Sequence, residues 1–215
     1  MTEVWRHIQH NYREGGLGRV LYKCIWRAGQ WIWSDACWLV YAVKVSEYRR
    51  RPTLSLSNRT LDFEALYSLG YFKTLAFPEV IRSRLERGEQ CHGFFLGETL
   101  VNIGWTTADY LELEPGYTIT EEGWVGIYDC YTLPAWRSRG IYTDSLILLL
   151  NSIRERDCEK GFISVDPGNL PSIKGIEKAS FRPLYRLRRF RRFGRVRIEK
   201  SEFDLRYGQK MISPI

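Results

Sequence analysis

The chain has 215 residues, 44 % hydrophobic, 14 % aromatic and 27 % charged, a balance that suits a globular fold with a sizeable core. Its net charge of +7 is local, because Arg182–Lys200 holds nine Lys/Arg against one acid while the remainder is close to neutral, which excludes a general affinity for polyanions. The longest uncharged apolar run, Ala36 to Val43, falls well short of the ~20 residues of a membrane span, and Met1–Arg13 lacks the pattern of a secretory signal, so a cytoplasmic protein is expected.

From Leu17 onward, Val20, Leu21, Cys24, Ile25, Ala28, Trp31 and Ile32 recur at helical spacing, with Arg19, Lys23 and Arg27 elsewhere on the wheel. This amphipathic basic helix lies in a region holding five of the eight tryptophans, and it can pack as an extra layer or rest on a membrane surface. Residues 1–35 are therefore read as a helical extension ahead of a domain over 36–215. Within that domain Trp38–Val45 reads as a buried strand, Arg49–Arg59 as a polar loop, and Ser68–Glu89 as a helix interrupted before Pro78. Cys91–Leu96 and Thr99–Thr106 flank the turn Gly97-Glu98 as a hairpin, and Thr107–Glu122 reads as a polar loop. Trp124–Leu133, Ile141–Lys160, Phe162–Asp166 and Ser172–Ala179 follow as strand, long helix, strand and helix. They predict a β-α-β-α unit with a right-handed crossover and a parallel strand pair, attached to an antiparallel meander. The fold class is α/β of the α+β kind, with a mixed, mostly antiparallel sheet. The five cysteines have no Cys-x-x-Cys spacing and the three histidines form no ligand pattern with them, which predicts reduced thiols and no metal site.

The chemistry is concentrated between the strand and the long helix, in Leu133-Pro134-Ala135-Trp136-Arg137-Ser138-Arg139-Gly140-Ile141-Tyr142. Pro134 ends the strand, Gly140 permits close backbone approach, and the amides of Ser138 to Tyr142 open a helix whose dipole favours an anion. Arg137 and Arg139 add positive charge. The dinucleotide fingerprint would need further glycines and the P-loop a Gly-Lys-Ser/Thr ending, and neither is present.

The order Thr132-x-Pro-x-Trp-Arg137-x-x-Gly140, helix, strand, Asn169-x-x-Ser172 and Glu177-Lys178-Ala179-Ser180-Phe181 resembles the GNAT acyltransferase superfamily. The Gln/Arg-x-x-Gly-x-Gly/Ala motif of that superfamily matches at Arg137 and Gly140, with Tyr142 in place of the last small residue. Its later segment matches at Asn169, Glu177, Lys178 and Phe181, with Ser180 where the family has glycine. The resemblance implies binding of acetyl-CoA or another acyl-CoA, with pyrophosphate on the amides of Ser138, Arg139, Gly140, Ile141 and Tyr142. It also implies pantetheine along Tyr131 to Leu133, and Asn169 and Ser172 on the cofactor's other side. The Leu133 N–H would polarise the thioester carbonyl. Many family members carry a tyrosine just ahead of the Glu-Lys pair as acid to the leaving thiolate, and here that position is Ile176. Tyr131, Tyr142 and Tyr185 stand as substitutes, although each reads more readily as a packed aromatic.

Acyl transfer to an amine needs the neutral nucleophile, and a lysine-like amine of pKa about 10.4 is only about one part in 10³ neutral at pH 7. Asp129 is the candidate base, since strand alternation places it in the row of Val125, Ile127, Tyr131 and Leu133. The alternative is a structural carboxylate bonded to a neighbouring donor. Arg182–Ile198 fits the two strands that complete the substrate side in the family, and Arg188, Arg189, Arg191 and Arg192 are the candidate anion-binding residues. The expected activity is transfer of an acyl group, most simply acetyl, to an amine of a small anionic acceptor by direct attack, without a metal. The competing readings are an acyl carrier protein as donor, or a non-catalytic module that binds an anionic membrane or nucleic acid through residues 182–200. Nucleic acid is the least favoured partner, and peripheral contact at the inner face of the membrane fits the arginine segment.

Overall fold

Alternating apolar residues dominate the chain, and in the computed structural model, which describes residues 29, 33–69, 78–114, 117–154 and 158–202, they form eight strands. These are β1 (Trp33–Lys44), β2 (Leu56–Leu61), β3 (Gln90–Leu96), β4 (Thr99–Glu114), β5 (Tyr117–Thr132), β6 (Lys160–Val165), β7 (Arg182–Arg192) and β8 (Arg195–Glu202). The helices are α1 (Phe63–Ser68), α2 (Pro78–Glu86), α3 (Ile141–Arg154) and α4 (Leu170–Lys178). One sheet takes the order β2-β3-β4-β5-β6-β1-β7-β8. The pairs β2–β3, β3–β4, β4–β5 and β1–β6 are antiparallel, and β5–β6 is parallel. The expected mixed sheet around a β5-α3-β6-α4 unit is therefore present. The amphipathic helix expected from Leu17 lies outside the described residues. No helix among the described residues is long and apolar enough to cross a membrane.

The chain divides into two compact units, one of Met1–Cys37 with Leu187–Ser201 and one of Trp38–Arg186 with Glu202–Ile215. In the larger unit, Leu39, Tyr41, Ile127, Ile163 and Val165 of the sheet pack under Leu146, Leu149, Leu150 and Ile153 of α3 and Ile176 of α4. The other sheet face buries Cys91, Phe95, Ile103 and Trp105 against Leu66 of α1 and Ile81 of α2. Asp144, buried in the first turn of α3, accepts from the Thr53 amide at 2.9 Å, the Thr53 hydroxyl at 2.8 Å and the Leu54 amide at 2.7 Å. The loop after β1 is thereby fastened to the helix N-terminus, where the dipole also favours a carboxylate.

Several elements differ from expectation. The described residues of Thr107–Glu122 are strand rather than loop: Leu111 and Ile119 are buried where β4 pairs with β5, because Leu111/Leu113 and Tyr117/Ile119 alternate with polar residues. The end of the expected loop Arg49–Arg59 is β2, which buries only Leu56 and Leu61 and so carries almost no alternation. Of the helix expected over Ser68–Glu89, α2 covers Pro78–Glu86 and residues 70–77 lie outside the described residues, while a separate helix that was not expected, α1, occupies Phe63–Ser68, where the Asp62 carboxylate caps the Ala65 amide at 2.8 Å. The long helix ends at Arg154 rather than Lys160, which instead opens β6.

In the smaller unit the arginine segment is partly structural. Arg189 is buried, and its Nη1 donates to Ser34 Oγ at 3.0 Å. Arg192 donates to both carboxylate oxygens of Asp35 and stacks 3.6 Å over Trp33, and Asp35 is held below the usual carboxylate range by that guanidinium. Two of the four residues expected to bind substrate are thus engaged with β1, because alternation turns Arg189 inward. Arg188 is exposed and Arg191 half-buried.

Replacing Asp144 by Ala leaves three partly buried donors without their acceptor, and should lower stability by about 3 kcal/mol. The urea midpoint should fall with an unchanged slope, and a value equal to wild type would show that the loop contributes nothing to folding.

Candidate functional site

The parallel pairing of β5 and β6 begins at Trp124–Lys160 and ends at Ile127–Ile163, although both strands continue. Beyond that point β6 stays paired with β1 as far as Leu39–Val165, and β5 stays paired with β4 as far as Asn102–Thr132. The two strands separate and leave one edge of β5 without a strand partner from Tyr128 to Thr132. The separation coincides with a bulge: Ile103 faces Tyr131 and Trp105 faces Tyr128, so Gly104 opposes both Asp129 and Cys130, and Asp129 takes φ +44°.

The bulge corrects the expected placement of Asp129. Ile127 lies under α3, whereas Asp129 turns to the α2 side, where its Oδ2 meets Arg84 Nη2 at 2.6 Å with its side chain 54 % exposed. The Arg84 guanidinium lies 5.2 Å from the ring centre of Trp105 and 5.0 Å from that of Tyr128. Behind Tyr128 is a carboxylate that sequence reasoning missed. Glu89 is 4 % exposed and is held by Arg87 Nε at 2.7 Å, by the Tyr110 hydroxyl at 2.5 Å and by the Tyr128 hydroxyl. Its tyrosine partners lie 21 and 39 residues away in the chain, so no local spacing marks it in the sequence.

On the α3 side the cleft opens into a cavity of about 650 Å³. Tyr131, Arg137, Ser138, Gly140, Ile141, Tyr142, Asn169 and Ser172 line it as expected, joined by Cys130, Thr132, Lys174 and Lys178. Leu133 and Arg139 are not among the lining residues, and Arg139 lies over Trp136, 5.1 Å from its ring centre. The Leu133 N–H donates to Val101 O at 3.1 Å, so it does not face the cleft. Alternation turns the Thr132 N–H that way instead, beside its carbonyl, which accepts from Arg137 Nε at 3.1 Å.

Two helix N-termini border the cavity. Before α3, Ser138 at φ +62° and Gly140 at φ +80° set up the alternating backbone that turns successive amides toward one point. A Cβ on Gly140 would meet nothing within 4 Å, so the space beside this backbone is open to a ligand. At α4 the Asn169 Oδ1 caps the Ser172 amide at 3.3 Å. With first-turn amides unpaired within each helix and Arg137, Lys174 and Lys178 in the wall, the site suits phosphate groups.

Ile176, where the resemblance would place a tyrosine, is wholly buried in the core. The Tyr142 ring packs against α4 at Gly175, and burial beside Cys130 pushes its phenol well above its ordinary range. Burial also pushes the Cys130 thiol up to about 12, so it stays protonated at neutral pH.

No family model matches the chain, and no curated protein matches it. Solved structures do. A GNAT-family acetyltransferase from Colwellia psychrerythraea is 14 % identical with a TM-score of 0.52, over 80 % of this chain and 57 % of that one. A GCN5-related N-acetyltransferase from Sphaerobacter thermophilus is 13 % identical at 0.51, over 89 % and 59 %. A GCN5-related glucosamine N-acetyltransferase region of a fungal multi-domain β-N-acetylglucosaminidase is 10 % identical at 0.53, over 81 % and 23 %. The chain thus spans less than two thirds of each of these proteins. The fold is that of the GNAT acetyltransferases, and the cavity lies where its central strands part.

A thiol with a pKa of about 12 is almost wholly unreactive near neutrality. Iodoacetamide at pH 7.5 should therefore label Cys130 about a thousandfold more slowly than a free cysteine. Peptide mass mapping would show this, and fast labelling would mean that the cavity wall is wetter than its packing indicates.

Proposed function

We propose that the protein transfers an acyl group from an acyl-CoA, most simply acetyl-CoA, to the amine of a small acceptor. The observation that carries the reading is the parting of β5 and β6 after Ile127–Ile163 directly above two helix N-termini. A diphosphate suits the amides from Ser138 to Tyr142, with Arg137, Lys174 and Lys178 for its charge. The amide-bearing arm of CoA suits the edge of β5 that faced β6, where the backbone around Cys130 and Thr132 is past the last β5–β6 pair. When bound, the thioester supplies an activated acyl group.

The Thr132 N–H is the donor that the strand turns toward an acyl carbonyl, where it stabilises negative charge developing on oxygen. Asp129, half-exposed on the α2 side of the bulge, takes the ammonium proton so that the neutral amine can attack. Arg84 holds the carboxylate in one orientation through its 2.6 Å contact, which makes it a positioning residue. Burial disfavours the Cys130 thiolate and its Sγ donates to Tyr128 O at 3.7 Å, and both favour direct attack over transfer through a cysteine. A thiolate with an ordinary pKa of about 8.5 leaves readily near neutrality, so a hydrophobic residue at Ile176 is compatible with turnover.

Thiol release from acetyl-CoA across a panel of amines with and without a carboxylate or phosphate tests the activity. Asp129→Asn should lower turnover by roughly 10²–10⁴ with CoA affinity nearly unchanged, and the loss should shrink as rising pH deprotonates the amine in solution. Full turnover at pH 7 in that variant would make Asp129 structural.

Gly140→Val forces a β-branched residue into φ +80° and directs its side chain into the open cradle. CoA affinity measured by calorimetry should fall at least about tenfold. Wild-type affinity in a folded Gly140→Val protein would remove the cradle from the reading.

A further inference from the structure

The turn between β7 and β8 is built from Phe193 and Gly194, at φ +49° and +73°. Asn-Gly and Asp-Gly enter this geometry readily, whereas a bulky aromatic residue is strained in it. Burial does not offset the strain, since Phe193 is 71 % exposed. Trp33, 61 % exposed, presents its ring to the Arg192 guanidinium beside the same turn. Val196 and Ile198, on one side of β8, are also exposed. The same hairpin carries Arg188, Arg191, Arg195 and Arg197, and the only acid from Leu187 to Ser201 is Glu199, which pairs with Arg197 at 3.0 Å.

In water this arrangement is unfavourable twice, through a strained residue and through exposed apolar surface. An environment that is apolar at the turn and anionic around it makes both features favourable, and the lipid–water interface is such an environment. A second copy of the chain would bring two arginine clusters together. A nucleic acid could use the aromatic rings and the arginines but gives the aliphatic pair Val196 and Ile198 no contact of their own. We propose that the β7–β8 hairpin docks on an anionic lipid surface, with Phe193 and Trp33 entering the interface and Arg188, Arg191, Arg195 and Arg197 at the level of the headgroup phosphates.

The test is sedimentation of the full chain with vesicles of phosphatidylcholine, with and without phosphatidylglycerol. Binding should require phosphatidylglycerol and weaken with salt. Phe193→Asn should reduce the partition coefficient by about tenfold or more. The same change should leave the thermal midpoint unchanged or raised, because Asn tolerates the left-handed backbone. Arg191→Gln combined with Arg195→Gln should reduce partitioning by about fivefold per charge. Wild-type partitioning in both variants would overturn the proposal by assigning the association to another part of the chain. Equal binding to uncharged vesicles, retention on RNA without vesicle binding, or a dimer broken by Phe193→Asn without vesicle binding would also overturn it.

Discussion

The site depends on one constraint, that β5 and β6 cannot both keep their outer partners and stay paired with each other. The antiparallel ladder with β1 holds β6 along its whole length, and the long hairpin with β4 holds β5. The extra residue of the bulge at Asp129–Cys130 bends β5 just where the two strands part. Separation after Ile127–Ile163 relieves the conflict and leaves polar backbone at the strand edge. Such an edge is costly unless water or a ligand meets it, and here it opens on a cavity rather than on packed side chains.

The same bulge divides the electrostatics. On the α3 side are helix N-termini, Arg137, Lys174 and Lys178, an assembly for anions. On the α2 side are carboxylates: Glu89, buried but satisfied by a guanidinium and two phenols, and Asp129, half-exposed on Arg84. A buried charge survives only when its acceptors are filled, and Glu89 meets that condition with donors from β4, β5 and the residues before β3. The hub therefore fixes Tyr128, and Tyr128 in turn forms part of the aromatic surface beneath Arg84. The orientation of Asp129 is inherited from this chain of contacts, which makes it more rigid than its exposure alone would suggest.

The β5-α3-β6-α4 unit and the cradle were legible in the sequence because their signals are local: a Pro-bounded strand end and a glycine before a helix. Only the far half of the β4–β5 pairing, Thr107–Glu122, reads as a loop in the sequence, because its few apolar residues stand among glutamates and threonines on either side of Pro115-Gly116. The face of Asp129 and the hydrogen bond of Leu133 were misread for a single reason. Counting by twos along β5 assumes an unbroken ladder, and one inserted residue inverts every assignment beyond it. Arg189 and Arg192 show the complementary limit: a run of arginines looks like a surface, yet Arg189 is turned inward to Ser34 and Arg192 is held by Asp35, and only these partners on β1 decide their roles.

Tyr142 shows how a departure from the motif is absorbed. A large ring in the first turn of α3, where the resembling family has a small residue, would be expected to fill the cleft. Instead the ring lies against α4 at Gly175, where a Cβ would stand 2.6 Å from it. Tyrosine at 142 and glycine at 175 are one packing solution: the ring fits only because the facing helix has no side chain at that point. With the ring accommodated there, the cavity keeps its volume of about 650 Å³, and Ser138, Gly140 and Ile141 of the cradle remain in its lining. Burial then keeps the phenol neutral, so the wall between the two helices adds no negative charge to a site that its helix termini and cations make suitable for anions.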